Sequence, residues 1–305
     1  MKRLVFSVLF LMASSTFAQQ PDTARIIVHY KFTYLRDTTD RAHPYTENLV
    51  LFVGKKSSTY RSYDAMVADE QNKKAYASAL AASPDGHVSI RRVSAGSSTE
   101  YYQFPTAQKL ITKDNLVMNT YLIEEPLPAI HWKLNGDTTT FGGLHCQKAT
   151  GHFKGRDYTV WFCPDLPVPT GPWKLNGLPG LIVDAHDAKN EVVFRFDGVK
   201  KPILSPQKSQ RDANNSSNGE GSSAMLQGSQ DDPNLIKQPA LGIKTTLKEF
   251  AKLKETMYKD PNAFAQMLMA QQGGNIPGNG SKPDGIRIKV GPGPVINNPI
   301  ELPEK

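Results

Sequence analysis

The chain has 305 residues, with 36 lysines and arginines against 29 acidic residues and a formal charge of +7. The basic residues are scattered, with Lys55-Lys56, Lys73-Lys74, Arg91-Arg92 and Lys200-Lys201 as isolated doublets, so no nucleic-acid partner is expected. Length alone would allow two domains, but long polar stretches leave one core domain with appendages as the expectation.

Residues 1–18 read as a secretory signal peptide. Lys2 and Arg3 supply a positive start, residues 4–12 an apolar run broken only by Ser7, and residues 13–18 small side chains before a cut after Ala18. The run is about half of the ~18 residues that a membrane span needs. No second apolar run follows, so no transmembrane segment is expected after cleavage, and the mature chain is expected as a single domain over 19–302. Losing Lys2 and Arg3 lowers the charge from +7 to +5.

From residue 25 to 35 apolar and polar residues alternate: Ile26, Val28, Tyr30 and Phe32 share one face of a predicted strand. Residues 48–55 form a second strand. Residues 57–80 are polar and alanine-containing, and predict one or two helices. Short strands around 101–104, 116–123 and 130–134 follow without helices between them, which points to an antiparallel meander. The clearest hairpin joins 145–153 to 156–163 through Lys154-Gly155, a loop able to take positive φ. Its register sets Ala149 opposite Val160 and Gly151 opposite Tyr158, with Trp161 on the other face beside Lys148.

Next comes Gly171-Pro172-Trp173-Lys174-Leu175-Asn176-Gly177-Leu178-Pro179-Gly180-Leu181-Ile182. Pro179-Gly180 suits the centre of a type II turn, with positive φ at Gly180, and Leu178, Leu181 and Ile182 are expected in the core. A strand starts at 181–183 and another runs through 191–197, with a polar turn holding Asp184, His186 and Asp187 between them. Residues 205–234 are low-complexity and are expected to be a disordered insertion. Thr246 is a predicted helix N-cap before Leu247, Phe250, Leu253 and Met257, and Asp260-Pro261 starts a second short helix that ends at Gly273-Gly274. Residues 286–290 are a predicted edge strand.

Cys146 and Cys163 are the two cysteines of a chain read as exported. The Lys154-Gly155 register sets them opposite each other, within reach of a disulfide. Its loop-entropy value is up to roughly 3 kcal/mol, less what the hairpin already contributes by closing the same loop. Two buried free thiols are the alternative.

No nucleophile elbow, phosphate loop, zinc-protease helix, calcium loop or dinucleotide fingerprint occurs. The histidines, seven in all, form no helical i,i+4 pair. No catalytic residue, cofactor or metal site is therefore assigned.

Residues 177–182, Gly177, Leu178, Pro179, Gly180, Leu181 and Ile182, spell the signature of the GLPGLI family of signal-peptide-bearing Bacteroidota proteins, and the chain resembles that family. The likeness extends to Cys146-Gln147-Lys148-Ala149-Thr150, Gly155-Arg156, Tyr158-Thr159-Val160-Trp161, residues 164–169, Gly171-Pro172-Trp173 and the ending Asn297-Asn298-Pro299-Ile300-Glu301-Leu302. Cys163 and the long insertion depart from the family pattern. The resemblance implies an exported protein of the periplasm or outer membrane, or a secreted one, with no established activity to carry over. The fold expected is α+β: an antiparallel meander with a few helices, similar to the half-barrels of LolA-type lipoprotein carriers. Three functions follow as expectations. The first is a non-catalytic binder or carrier of a lipid or other hydrophobic ligand, with an apolar cavity of several hundred cubic ångströms, on the scale usual for ligand sites. The second is an interaction module for an outer-membrane protein partner, with an exposed aromatic patch that includes Trp173. The third is a hydrolase whose paired groups are distant in sequence.

Overall fold

The computed structural model describes residues 21–83, 87–117, 119–202, 232, 234–264, 267 and 294–304. The signal peptide expected at 1–18, the insertion expected at 205–234 apart from Asp232 and Asn234, the helix end expected at Gly273-Gly274 and the strand expected at 286–290 lie outside the described residues.

Strands and helices are numbered in chain order. The first half holds β1 (Asp22–Thr23), β2 (Ile26–Tyr34), β3 (Tyr45–Val53), β4 (Ser58–Ser62), α1 (Tyr63–Ala81), β5 (Glu100–Phe104), β6 (Lys109–Leu116) and β7 (Asn119–Pro126). The second holds β8 (Trp132–Phe141), β9 (Leu144–Phe153), β10 (Arg156–Cys163), β11 (Leu181–Asp187), β12 (Val192–Lys200), β13 (Leu235–Ile236), β14 (Ile243–Thr245) and α2 (Leu247–Lys259). Twelve strands make one sheet in the order β14-β7-β6-β5-β4-β3-β2-β12-β11-β10-β9-β8, antiparallel throughout except where β14 lies parallel to β7. Two meanders are thus joined where β2 pairs with β12.

This order forces the sheet to curl. Laid flat, β7 and β8 would stand ten strand spacings apart, roughly 48 Å. Yet only residues 127–131 connect them, a stretch that reaches roughly 20 Å when fully extended. On the inner face, Val28 pairs through Leu51 and Tyr60 with Tyr101, Thr112 and Ile123 across six neighbouring strands. Helix α2 closes one end of that face, where its Phe250 and Met257, with Phe264 beyond its end, pack on Leu116, Tyr121 and Ile123. Its Thr246 cap and the reciprocal Glu249 complete a capping box. Helix α1 lies on the outer face, with Tyr63 and Met66 against Val50 and Phe52.

Several local expectations need correction. Residues 57–80 are not all helical: 58–62 form β4, and Ser62 Oγ then accepts from Ala65 N to start α1. The apolar run 116–123 is not one strand but a reversal between β6 and β7, made possible by a left-handed Val117 at φ 58°. Asp184, His186 and Asp187 sit within β11 rather than in a turn. The Lys154-Gly155 hairpin keeps the expected register, and both residues take positive φ, 51° and 69°. Trp161 lies beside Lys148 on the outer face and packs on Phe141.

Gly180 is the instructive correction. It does not adopt positive φ; within residues 177–182 that conformation falls to Gly177, at 91°. Gly180 is glycine because of close approach: a Cβ there would stand 2.6 Å from the Cys163 carbonyl carbon and 2.8 Å from Pro164 N. Both neighbours are backbone and cannot step aside. Gly180→Ala should therefore destabilise the protein by about 2–3 kcal/mol, while Gly136→Ala, with nothing within 4 Å, should leave stability unchanged or slightly raised. Urea denaturation of both variants checks this.

Candidate functional site

Residues 164–169 are largely exposed and lead into the hollow of the curled sheet, and residues 170–180, mostly buried, fill much of it. The segment is pinned at its start by the bond between Cys146 and Cys163, whose Cα atoms are 4.1 Å apart. Its backbone folds on itself: Leu175 N donates to Pro172 O, Gly177 N to Pro169 O, Leu181 N to Leu166 O and Ile182 N to Thr170 O. Side chains from both halves of the sheet then hold it. Gln103 Nε2 on β5 donates to Trp173 O at 3.1 Å, and Gln103 Oε1 accepts from Thr170 Oγ1 at 3.0 Å. Trp132 Nε1 on β8 donates to Asn176 O, and Tyr30 OH on β2 to Ile182 O. Leu175, Leu178, Leu181 and Ile182 are at most 2% exposed. Gly177 and Pro179 are the exposed members of the signature. Trp173, which only the interaction-module expectation put on an exposed patch, is 2% exposed and belongs to the core.

Charge locks this plug to the end of the chain. Lys174, itself buried, donates to Glu125 at 3.1 Å and to Glu301 at 2.8 Å, and Lys154 also pairs with Glu301. Below it, buried Arg156 engages all three of its nitrogens: Nη1 to Asp187, Nη2 to Asn298 Oδ1 and Pro299 O, and Nε to Ile300 O. Asp187 Oδ1 in turn accepts from Glu191 N and Val192 N. Asp187 thus has a structural load that explains its burial without any acid–base role. Burial also raises the Asp184 carboxyl, and Arg195 only partly offsets this.

One space in the hollow is left open. A cavity of about 170 Å³ lies between the plug and strands β2 to β5, with seven aromatic rings in its wall. Tyr60, Trp173 and Phe194 form its buried floor, and Tyr45, Ser97, Tyr101 and Ile300 its half-exposed rim. The Tyr60 hydroxyl makes no hydrogen bond. Burial, with the Tyr30 and Glu47 charges beside it, pushes that phenol well above its ordinary range. Burial likewise raises Tyr101 and Tyr45, the latter helped by its hydrogen bond to Glu47. These phenols are protonated donors at neutral pH. Glu47 is the acidic residue of the wall and is only 6% exposed.

The cavity is far below the several hundred cubic ångströms expected of a carrier. A wider groove of about 850 Å³ lies on the outer face beside α1, but its wall is strongly charged, with Arg61, Asp69, Glu70, Lys73 and Lys74. Among the described residues no group of three or more His, Cys, Asp or Glu could hold a metal. His145 pairs with Asp165, His152 with Asp157 and Glu304, and His43 with Asp40, all at the surface. Sequence reasoning missed Glu47, although a signal was present: on the β3 alternation it shares the face of Leu49, Leu51 and Val53.

No protein-family model matches the chain, and no curated protein does. Two solved structures resemble it weakly. PNGF-II in the C2 space group shares 12% identity at a TM-score of 0.44, over 74% of this chain and 32% of that one. PNGF-II in the P21 space group shares 14% at 0.40, over 60% and 29%. This chain therefore spans about a third of the length of those proteins, and likeness at this level says nothing about activity.

The plug's charge lock has a pH signature. Burial by itself would raise the Glu301 carboxyl, but Lys174 and Lys154 outweigh it and hold the group below its usual range. On acidification the unfolded chain therefore takes up this proton first, so the stabilisation is complete above the ordinary glutamate range. It is lost as pH falls below about 4 and through the depressed folded value. Glu301→Gln should cost about 1–2 kcal/mol at pH 7 and flatten the fall in melting temperature between pH 5 and 3. Thermal melts across that range check it.

Proposed function

We propose that this chain is an exported cell-envelope protein of the GLPGLI type, a non-catalytic binding protein that takes a small ligand group in the aromatic cavity. In this reading the curled sheet is a half-barrel of the lipoprotein-carrier kind whose bore is closed by residues 164–180, so the ligand site is the remnant that the plug does not fill. The observation that carries it is the aromatic-walled cavity of about 170 Å³, with an unpartnered Tyr60 hydroxyl at its floor. A cavity of this size accepts a group of about six non-hydrogen atoms, as a 150 Å³ apolar cavity accepts benzene. It favours a ring or a branched head over a whole acyl chain. The signature residues serve the binding reading indirectly, because they seat Trp173 as part of the wall.

Native mass spectrometry of mature protein purified gently from its own envelope tests this. The wild type should carry one small molecule of defined mass, and substitution of Thr99, a half-buried residue of the cavity wall, by the larger side chain in Thr99→Trp should abolish it. A bare mass for the wild type, or the same excess in both proteins, would contradict the proposal.

A further inference from the structure

The wall of the cavity carries more information than its size. Glu47 presents a carboxylate that is 6% exposed, and its partners are all neutral. Oε2 accepts from Tyr45 OH at 2.8 Å, and Oε1 accepts from Ser97 N at 2.6 Å and Ser97 Oγ at 3.0 Å. Among the described residues no lysine, arginine or histidine lines the cavity or pairs with Glu47. This contrasts with the other acidic groups buried in the hollow: Asp187 has Arg156, and Asp114 has Lys254. A buried charge without a counter-charge is costly. Its neighbours in the wall are aromatic rings that pack on one another, and aromatic rings carry electron-rich faces. Phe32 stacks on Phe194 at 4.9 Å, Trp173 lies nearly parallel to Phe194, and Tyr60 stands edge-on to Phe194 and tilted to Tyr101. One ring of the set already bears a cation: Arg36, which does not line the cavity, sits 3.8 Å from the Tyr45 centroid.

We infer that the cavity is an aromatic cage for an organic cation, specifically an alkylated ammonium head, with Glu47 as its counter-charge. This rests on the reading of the cavity as a binding site and names the chemistry of its ligand. Ring faces together with a carboxylate attract a cation that has shed its water. A metal ion of the calcium or magnesium class does not fit, because it needs six or more oxygen ligands or retained waters, and this wall offers mainly carbon. A neutral apolar group would fill the space but leave Glu47 uncompensated. A trimethylammonium head has about the size that the cavity accepts, and its tether would leave through the rim between Ser97, Tyr101 and Ile300.

Calorimetric titration with choline and with its neutral carbon isostere, 3,3-dimethyl-1-butanol, tests the inference. Choline should bind at least tenfold more tightly than the alcohol. Glu47→Gln should lose tenfold or more toward choline and keep the alcohol's affinity. Should that variant fail to fold, Tyr101→Leu at the half-exposed rim should weaken choline severalfold and the alcohol less. Equal affinities for the two ligands in the wild type, or choline binding indifferent to both variants, would overturn the cation assignment while leaving the cavity a binding site. Failure of both ligands to bind would remove the assignment and the site together. Phosphatidylcholine and phosphatidylglycerol vesicles then separate two sources: cosedimentation with the former alone supports a lipid headgroup, and choline binding without cosedimentation supports a free small cation.

Discussion

A sheet of twelve strands whose β7 and β8 are tethered by residues 127–131 has to curl, and a curled sheet has to be filled. Everything else in this molecule answers that constraint. Residues 164–180 do most of the filling, and they can because their own backbone bonds are made locally or to the inner wall, leaving the apolar side chains free to pack. The close approach of Gly180 to the Cys163 backbone brings the two ends of the segment together, so it enters and leaves the hollow at one point. The six-residue signature is thus mostly buried, and its chemistry is that of packing and backbone geometry.

The plug also explains why charge is buried here. Lys174 leaves the plug to meet Glu125 on β7 and Glu301 near the end of the chain, and Arg156 gathers Asn298, Pro299 and Ile300 around the Arg156–Asp187 pair. Breaking the Arg156–Asp187 pair, whose side chains are both 3% exposed, costs about 3–5 kcal/mol, whereas making it contributes little net stability. Its value lies in register: the segment 297–302 can seat in one way only. That seating brings Ile300 to the rim of the aromatic cavity, so the clamp and the cavity are parts of one arrangement.

Much of the β architecture was legible because period-two alternation is a local signal. Strand β2 and the Lys154-Gly155 hairpin follow from it directly, and the hairpin register set Cys146 opposite Cys163. The helix at 247–259 followed from its cap and spacing. What was not legible depends on curvature. The sequence contains Leu110 and Ile111 as a short apolar pair, too little to announce β6, and nothing near Val117 marks a left-handed reversal. Trp173 read either way, because an aromatic side chain serves cores and interfaces alike; only the hollow of the sheet makes its loop interior. Glu47 was readable in principle as an acid on the core face of β3, but its isolation from any cation appears only once the neighbouring strands are in place.

Native-state hydrogen exchange at the Leu175, Leu181 and Ile182 amides tests the plug most directly. These N–H groups bond to Pro172, Leu166 and Thr170 within the hollow. If the segment is the filling on which the sheet depends, they exchange only with global unfolding, at the same free energy as the central amides of β2 and β11. Exchange at the rate of a surface loop while those strands stay protected would show that the sheet stands without its plug, and would contradict this description of the fold.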